Sequence, residues 1–217
     1  MKFPIRYRHF EKIEKHAWLL GILTAFMVSL GGLAEITPLF MEAHRVQPAD
    51  NIKPYGPLRL AGRDIYVREG CHVCHSQMIR KLQFETQRYG PYSVASESVY
   101  DRPFQWGSKR TGPDLARVGG KYTDAWQREH LIAPRSLVPE SNMPAYPWLA
   151  EATIDPADIQ ARMRALRALG DPYSSESIAE APEALKNKTE LDALVAYLQG
   201  LGRNRPSPDA LKGDAVP

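Results

Sequence analysis

Apolar positions in this chain fall into one long uninterrupted run near the N-terminus, followed by several shorter stretches of helical period. The run from Ala17 to Ala34 holds eighteen residues without a charge, and Ile36, Leu39, Phe40 and Met41 continue it beyond Glu35. Eighteen helical residues rise roughly 27 Å, close to the hydrocarbon thickness of a bilayer. The pattern therefore predicts a transmembrane helix within a first segment, residues 1–41. A cleaved signal has an apolar stretch of roughly 7 to 15 residues. Here the run is longer, with only Gly31 to Ala34 as a small-residue stretch, so an uncleaved membrane anchor is expected. Lys2, Arg6, Arg8, Lys12 and Lys15 precede it against Glu11 and Glu14, which puts the N-terminus in the cytoplasm and everything past Pro38 across the membrane. Glu35 reads as an interfacial carboxylate or as a contact with another membrane subunit.

The pattern then changes. Pro48, Pro54, Gly56 and Pro57 among polar residues mark a linker, residues 42–57. Leu60, Ile65 and Tyr66 recur at helical spacing within Leu58 to Gly70. Further helices are expected from Thr123 to Ala133, from Asp155-Pro156 to about Gly170, and from Lys188 to Leu201, where Leu191, Leu194, Val195, Leu198 and Leu201 share a face. Between the Leu58 to Gly70 stretch and the Thr123 helix lie residues 83–110, rich in aromatic, polar and turn residues and without a sustained period. Structureless loops longer than about 12 to 15 residues are usually functional or disordered, and the aromatic density argues for order. This stretch is read as a long insertion that docks a partner, shields a cofactor or covers its own core. The polar tail, 203–217, is expected to be disordered. The fold class is mainly α, with one transmembrane helix and one domain, 58–202.

Composition adds little except through cysteine. A net charge of +3 over 217 residues gives no reason to expect nucleic acid as a partner. The chain has only two cysteines, and they stand in Cys71-His72-Val73-Cys74-His75, the spacing that attaches a c-type haem. Two thiols three positions apart add to the haem vinyl groups, and an imidazole directly after the second binds iron. One helical turn brings 71, 74 and 75 to one side. A dithiol redox site would not need His75, and no second Cys or His pair stands nearby to complete a zinc site. Haem attachment in bacteria is expected outside the cytoplasm, which agrees with the charge asymmetry and places the haem domain in the periplasm of an inner-membrane protein.

The remaining methionines and histidines supply the candidates for a sixth iron ligand. Met78 follows His75 too closely to reach the opposite haem face, and Met163 lies on the apolar stripe of Ile159 and Leu166. Met143, in the loop Ser141-Asn142-Met143-Pro144, is the favoured ligand, which would give a His75/Met143 haem of raised potential. A bis-histidine haem using His130 stays open.

Thr111-Gly112-Pro113-Asp114-Leu115 resembles the Gly-Pro-x-Leu segment of class I cytochromes c. The resemblance implies that the Pro113 carbonyl accepts a hydrogen bond from the axial imidazole, that the distal methionine sits in a Met-Pro loop, and that the terminal helix crosses the first, near Tyr197. A closer likeness runs through Gly62-Arg63-Asp64-Ile65-Tyr66, Cys74-His75-Ser76-Gln77-Met78-Ile79-Arg80, Trp106 to Leu115 and Pro139 to Leu149. These segments resemble the membrane-anchored monohaem cytochrome c subunit of cbb3-type cytochrome c oxidases, the FixO/CcoO family, over residues 1 to about 202. That likeness implies an electron relay without a catalytic centre of its own. It would take electrons from a dihaem cytochrome c subunit or a soluble cytochrome c and pass them to the haem b and haem-copper centre of the catalytic subunit, in a proton-pumping oxidase of aerobic respiration. Lys109, Arg110 and Arg135 are the candidates to meet haem propionates or a partner surface. A free-standing anchored cytochrome that shuttles electrons between complexes is the alternative; a peroxidase or sensor would need an open sixth position.

Overall fold

The computed structural model describes residues 13–42, 48 and 51–203. The basic N-terminal stretch up to Lys12, much of the linker and nearly all of the tail lie outside the described residues. The chain divides into two compact units, Met1–Gln47 and Pro48–Pro217.

In the first unit, α1 runs from Ala17 to Glu42 with Pro38 inside it, and Ala17–Pro38 is long and apolar enough to cross a membrane, with a mean hydropathy of 1.9. Large side chains such as Trp18, Ile22, Phe26 and Leu33 are exposed along it. Two of its three hydroxyls are satisfied internally: Ser29 Oγ donates to the Ala25 carbonyl and Thr37 Oγ1 to that of Leu33, both at 2.7 Å. This suits a helix in a medium that offers no hydrogen bonds.

The second unit is built on two helices. α2, Pro57–Arg68, starts with proline at its first position and ends at Glu69, after which Gly70 takes the left-handed conformation at φ 72° that glycine adopts without a Cβ penalty. The single turn α3, Cys71–Cys74, follows at once. The terminal helix, Glu190–Gly200, opens with a capping box in which Thr189 and Asp192 bond each other's backbone amides. It crosses α2 closely. A Cβ on Gly62 would stand 1.9 Å from the Ala193 carbonyl oxygen and 2.8 Å from the Tyr197 Cβ, so only glycine fits. Tyr197, fully buried, packs against Tyr66 at 5.5 Å and Tyr55 at 5.8 Å between ring centroids.

Among the described residues there is no strand, only an isolated bridge between Thr153 and Thr189. After α4 (Gln83–Tyr89) come α5, Asp124–Ile132, capped by Thr123, and the short α6, Pro134–Leu137. α7, Pro156–Ala168, is capped by Asp155; α8 (Ser175–Ala179) and α9 (Ala181–Leu185) precede the terminal helix, α10. Leu60, Ile65, Leu131, Leu149, Ile159, Met163 and Leu194 form a common core with the tyrosines, and Met163 is core as its stripe predicts. Tyr55, placed by the sequence in the linker, belongs to this unit: the Tyr173 hydroxyl donates to its carbonyl at 2.8 Å.

The 83–110 insertion is ordered by buried charge. It contains the helix α4, which periodicity does not reveal and which has no side-chain N-cap. Glu85, on that helix, is fully buried and paired with Arg80 and, at 2.8 Å, with Arg110. Arg110 also donates to Ser76 Oγ at 2.8 Å and to the Met78 carbonyl at 2.9 Å. Asp114 in turn accepts from Ser76 Oγ at 2.6 Å and from the Met78 amide at 3.0 Å. Farther along, buried Arg63 reaches Asp101 at 3.2 Å and the Pro103 carbonyl at 2.6 Å, and the Tyr55 hydroxyl donates to the same carboxylate at 2.9 Å. The insertion is thus sewn to α2 and to the residues that follow His75.

Two predictions follow from this packing. Gly62→Ala forces α2 and α10 apart and lowers stability by about 1–3 kcal/mol, as overpacking does; chemical denaturation checks it, and an unchanged midpoint would show that the crossing tolerates a methyl group. The Arg110 guanidinium, aided by Arg80 and opposed by burial, holds the Glu85 carboxyl from its ordinary 4.5 down to about 2. A depressed carboxyl contributes stability above its unfolded-state pKa, and that contribution is lost as pH falls from there through the folded value. Arg110→Met leaves Glu85 with Arg80 as its one ionic partner, costs about 1–3 kcal/mol and weakens the dependence of the melting temperature on pH below 4.5.

Candidate haem site

The site begins where α3 ends. The His75 backbone is extended at φ −116° and its amide donates to the Cys71 carbonyl at 2.9 Å, so the imidazole leaves the helical turn. The loop 111–115 lies against this segment through two backbone bonds: the Gly112 amide to the Cys74 carbonyl at 3.0 Å, and the Leu115 amide to that of Ser76 at 2.8 Å. This pairing puts His75 Nδ1 2.8 Å from the Pro113 carbonyl oxygen. A carbonyl only accepts, so the bond requires the proton on Nδ1 and leaves a lone pair on Nε2. Gly112 makes room for the ring, since a Cβ there would lie 2.3 Å from His75 Cε1. Sequence reasoning did not single out Gly112 by itself; its place beside Pro113 is the only local signal.

His75 opens on a cleft of about 900 Å³, counted out to its open mouth, whose lining is mainly apolar. Tyr66 from α2 and Leu194 and Leu198 from α10 form an apolar wall; Trp126, Gln127, His130 and Leu131 come from α5. Cys71, Pro113 and Met143 line the same cleft, whereas Cys74, half-buried at the end of α3, is not among its wall residues. Met143 is half-buried, its amide donates to Ser141 Oγ at 3.2 Å, and Arg135 Nε donates to the Ser141 carbonyl at 3.0 Å. His130 stacks on Trp126 at 4.6 Å, which stacks on Tyr122 at 3.9 Å. Burial, then the neighbouring His75, lower the His130 pKa.

The donor set discriminates between chemistries. Burial, with a smaller push from Glu69, raises the Cys71 thiol to about 12. A reactive dithiol needs the opposite shift, because the thiolate is the nucleophile. Among the described residues no three His, Cys, Asp or Glu side chains converge as metal ligands, as a structural zinc site would require. Arg117 Nε, Gln127 Nε2 and His130 Nδ1 are buried on residues lining the cleft, without a hydrogen-bond partner. Buried donors without partners are costly, and an apolar cofactor carrying carboxylates is one that could satisfy them. Apolar walls, thiols, a presented imidazole and spare donors together fit a haem.

The cationic residues nominated from sequence are placed differently. Lys109 is exposed and lies off the cleft wall, Arg110 turns inward to Glu85 and Asp114, and Arg135 braces the Met143 loop. The cations on the wall are Arg117 and Lys121. The correction to Arg110 has an electrostatic cause: a fully buried carboxylate holds the guanidinium more strongly than a solvated surface position would.

Residues 10–189 match the family described as cytochrome c oxidase, mono-heme subunit/FixO. The chain belongs to that family. A FixO chain is a monohaem cytochrome c subunit of a cbb3-type oxidase, so a haem and partner subunits are expected. No curated protein matches the sequence.

Because Gly112 gives the imidazole its space, Gly112→Ala displaces His75 from Pro113. We expect a larger high-spin fraction in the absorption spectrum of the haem-loaded subunit; an unaltered low-spin spectrum would show that the ring is not confined by the loop.

Proposed function

We propose that this FixO subunit relays electrons through a c-type haem bonded to Cys71 and Cys74. It would take them from a dihaem cytochrome c subunit or a soluble cytochrome c and pass them to the haem b and haem-copper centre of the catalytic subunit, where oxygen is reduced to water. The observation that carries this reading is the His75 Nδ1 to Pro113 oxygen contact of 2.8 Å, at a cleft that Cys71 and Met143 also line. When bound, the haem supplies a one-electron iron(III)/iron(II) couple.

The chain's own residues do the rest. Cys71 and Cys74 would hold the haem by addition of each thiol across a vinyl group, the sulfur bonding to one carbon and the proton going to the other, with no leaving group. His75 offers Nε2 to iron because Pro113 holds the proton on Nδ1, and the second-layer bond makes the imidazole a stronger donor. Met143 would be the second residue to hold the iron, its thioether raising the potential and keeping out exchangeable ligands. Tyr66, Leu194 and Leu198 exclude water from one side of the cleft, which keeps reorganisation on electron transfer small. Gln127 Nε2 and Arg117 Nε, buried without partners, would donate to the haem carboxylates. α1 holds the domain to the inner membrane with its basic flank in the cytoplasm and the haem domain in the periplasm, supported by the charge asymmetry.

A second axial assignment, His75/His130, is favoured by one observation: His130 also lines the cleft, with Nδ1 unpartnered. The ferric spectrum of the native complex separates the two. With Met143 as ligand, the wild type shows the weak charge-transfer band of sulfur ligation, Met143→Ala loses it and its reduction potential falls, while His130→Ala keeps the band. A correctly haem-loaded wild type without the band would sink the Met143 assignment.

A further inference from the structure

A second cleft, of about 660 Å³, shares the wall residue Arg117 with the haem cleft but is polar and lies between the start of α2, the insertion and the end of α10. Its two carboxylates already have donors. Asp101 accepts from Tyr55 and Arg63, and Glu97 is paired with Arg117 at 2.7 Å. Its donors have capacity to spare. Gln77 is 9% exposed; its Oε1 accepts from the Tyr197 hydroxyl at 3.1 Å, while its Nε2 is buried without a partner. Arg59 has a buried, unpartnered Nε, and its guanidinium makes no ion pair or hydrogen bond among the described residues. That guanidinium is held in place all the same, 5.0 Å from the Tyr55 ring centroid and against Gly200, where a Cβ would come within 2.1 Å of its Cζ.

The charges point one way. Arg63 pairs with Asp101 and Arg117 with Glu97, while Arg59 acts on Asp101 only through space, so Lys53 and Arg59 are the wall cations without an ion pair among the described residues. A guanidinium fixed in this manner has already lost its rotamer freedom, and its planar fork matches a carboxylate or phosphate oxygen pair. Leaving buried donors unsatisfied is costly.

We propose that this cleft is an oxyanion site, in which Arg59 and Gln77 hold a carboxylate- or phosphate-type group. The group comes either from solution or from a carboxylate of a partner subunit in the oxidase complex. The test uses the intact detergent-purified complex at constant ionic strength, with inorganic phosphate titrated against chloride while the melting of this subunit is followed. For a dissolved oxyanion, the wild type melts higher with a saturable phosphate dependence, and Arg59→Gln weakens the apparent affinity by about tenfold or more, the value of one charge-assisted bond. For a partner carboxylate, phosphate has no effect. Arg59→Gln then lowers the fraction of this subunit that co-purifies with the complex, and Arg59→Lys, which keeps the charge, restores part of it. Should Arg59→Gln fail to fold, Arg59→Lys carries the test alone, since loss of the fork weakens either form of binding. A wild type indifferent to phosphate together with Arg59 variants retained normally would overturn the proposal and leave ordered water as the partner of these donors.

Discussion

The second unit depends on the close approach of α2 and α10 at Gly62. With the Ala193 carbonyl where a Cβ would otherwise stand, the helices are near enough for Tyr55 to meet Tyr197 edge-on and Tyr66 to meet it tilted, in one aromatic centre. That contact fixes the direction in which α2 ends, and the haem motif begins three residues after its last residue, Arg68. It also places Leu194 and Leu198 of α10 on the wall of the cleft that His75 faces. Distant parts of the sequence, residues 57–75 and 190–200, are thereby made into one site. In a small domain, close packing of this kind contributes dispersion as well as burial, and it is intolerant of added volume.

A second constraint is the handling of charge beneath the surface. Glu85, Asp101 and Asp114 are removed from water, and each is met by guanidinium, hydroxyl or amide donors. Their partners come from opposite sides of the insertion, so satisfying one carboxylate ties the loop to the backbone around His75. Such pairs contribute less to net stability than to uniqueness: few arrangements satisfy all the donors at once. The insertion can therefore be ordered without a regular hydrophobic face. Here its order also supports the segment that carries His75, since Gln77 accepts no alternative place once its amide bonds the Trp106 carbonyl at 2.9 Å.

The candidate haem cleft and the second cleft differ in what they lack. The first has apolar walls with a few unsatisfied nitrogens and suits a large apolar group bearing carboxylates. The second has satisfied carboxylates and a fixed, unsatisfied arginine and suits a small anion. Arg117 stands in both walls, with its outer nitrogens committed to Glu97 and the backbone. The membership of the chain in the FixO family agrees with the first cleft and says nothing of the second.

Much was legible in the sequence because it rests on local physics. The apolar run Ala17–Ala34, the cap and stop residues of α2, α5, α7 and α10, and the thiol-imidazole spacing of Cys71 to His75 are contiguous or periodic signals, and each states a local rule. Pro113 could be nominated because a short segment carries it, and the structure sets its carbonyl on His75. What the sequence did not disclose is non-local. α4 forms without a cap or an apolar period because Arg80 and Arg110 draw Glu85 inward, and Arg110, nominated for a haem propionate or a partner surface, is for the same reason engaged with Glu85. Gln127 and Arg117 became wall residues, and Arg59 an unpaired one, only through the approach of segments far apart in the chain. Helix periods and attachment spacing were determined by the chain itself. Which charges are paired, and which donors are left over, was decided by tertiary packing, because desolvation depends on everything that surrounds a group and not on its neighbours in sequence.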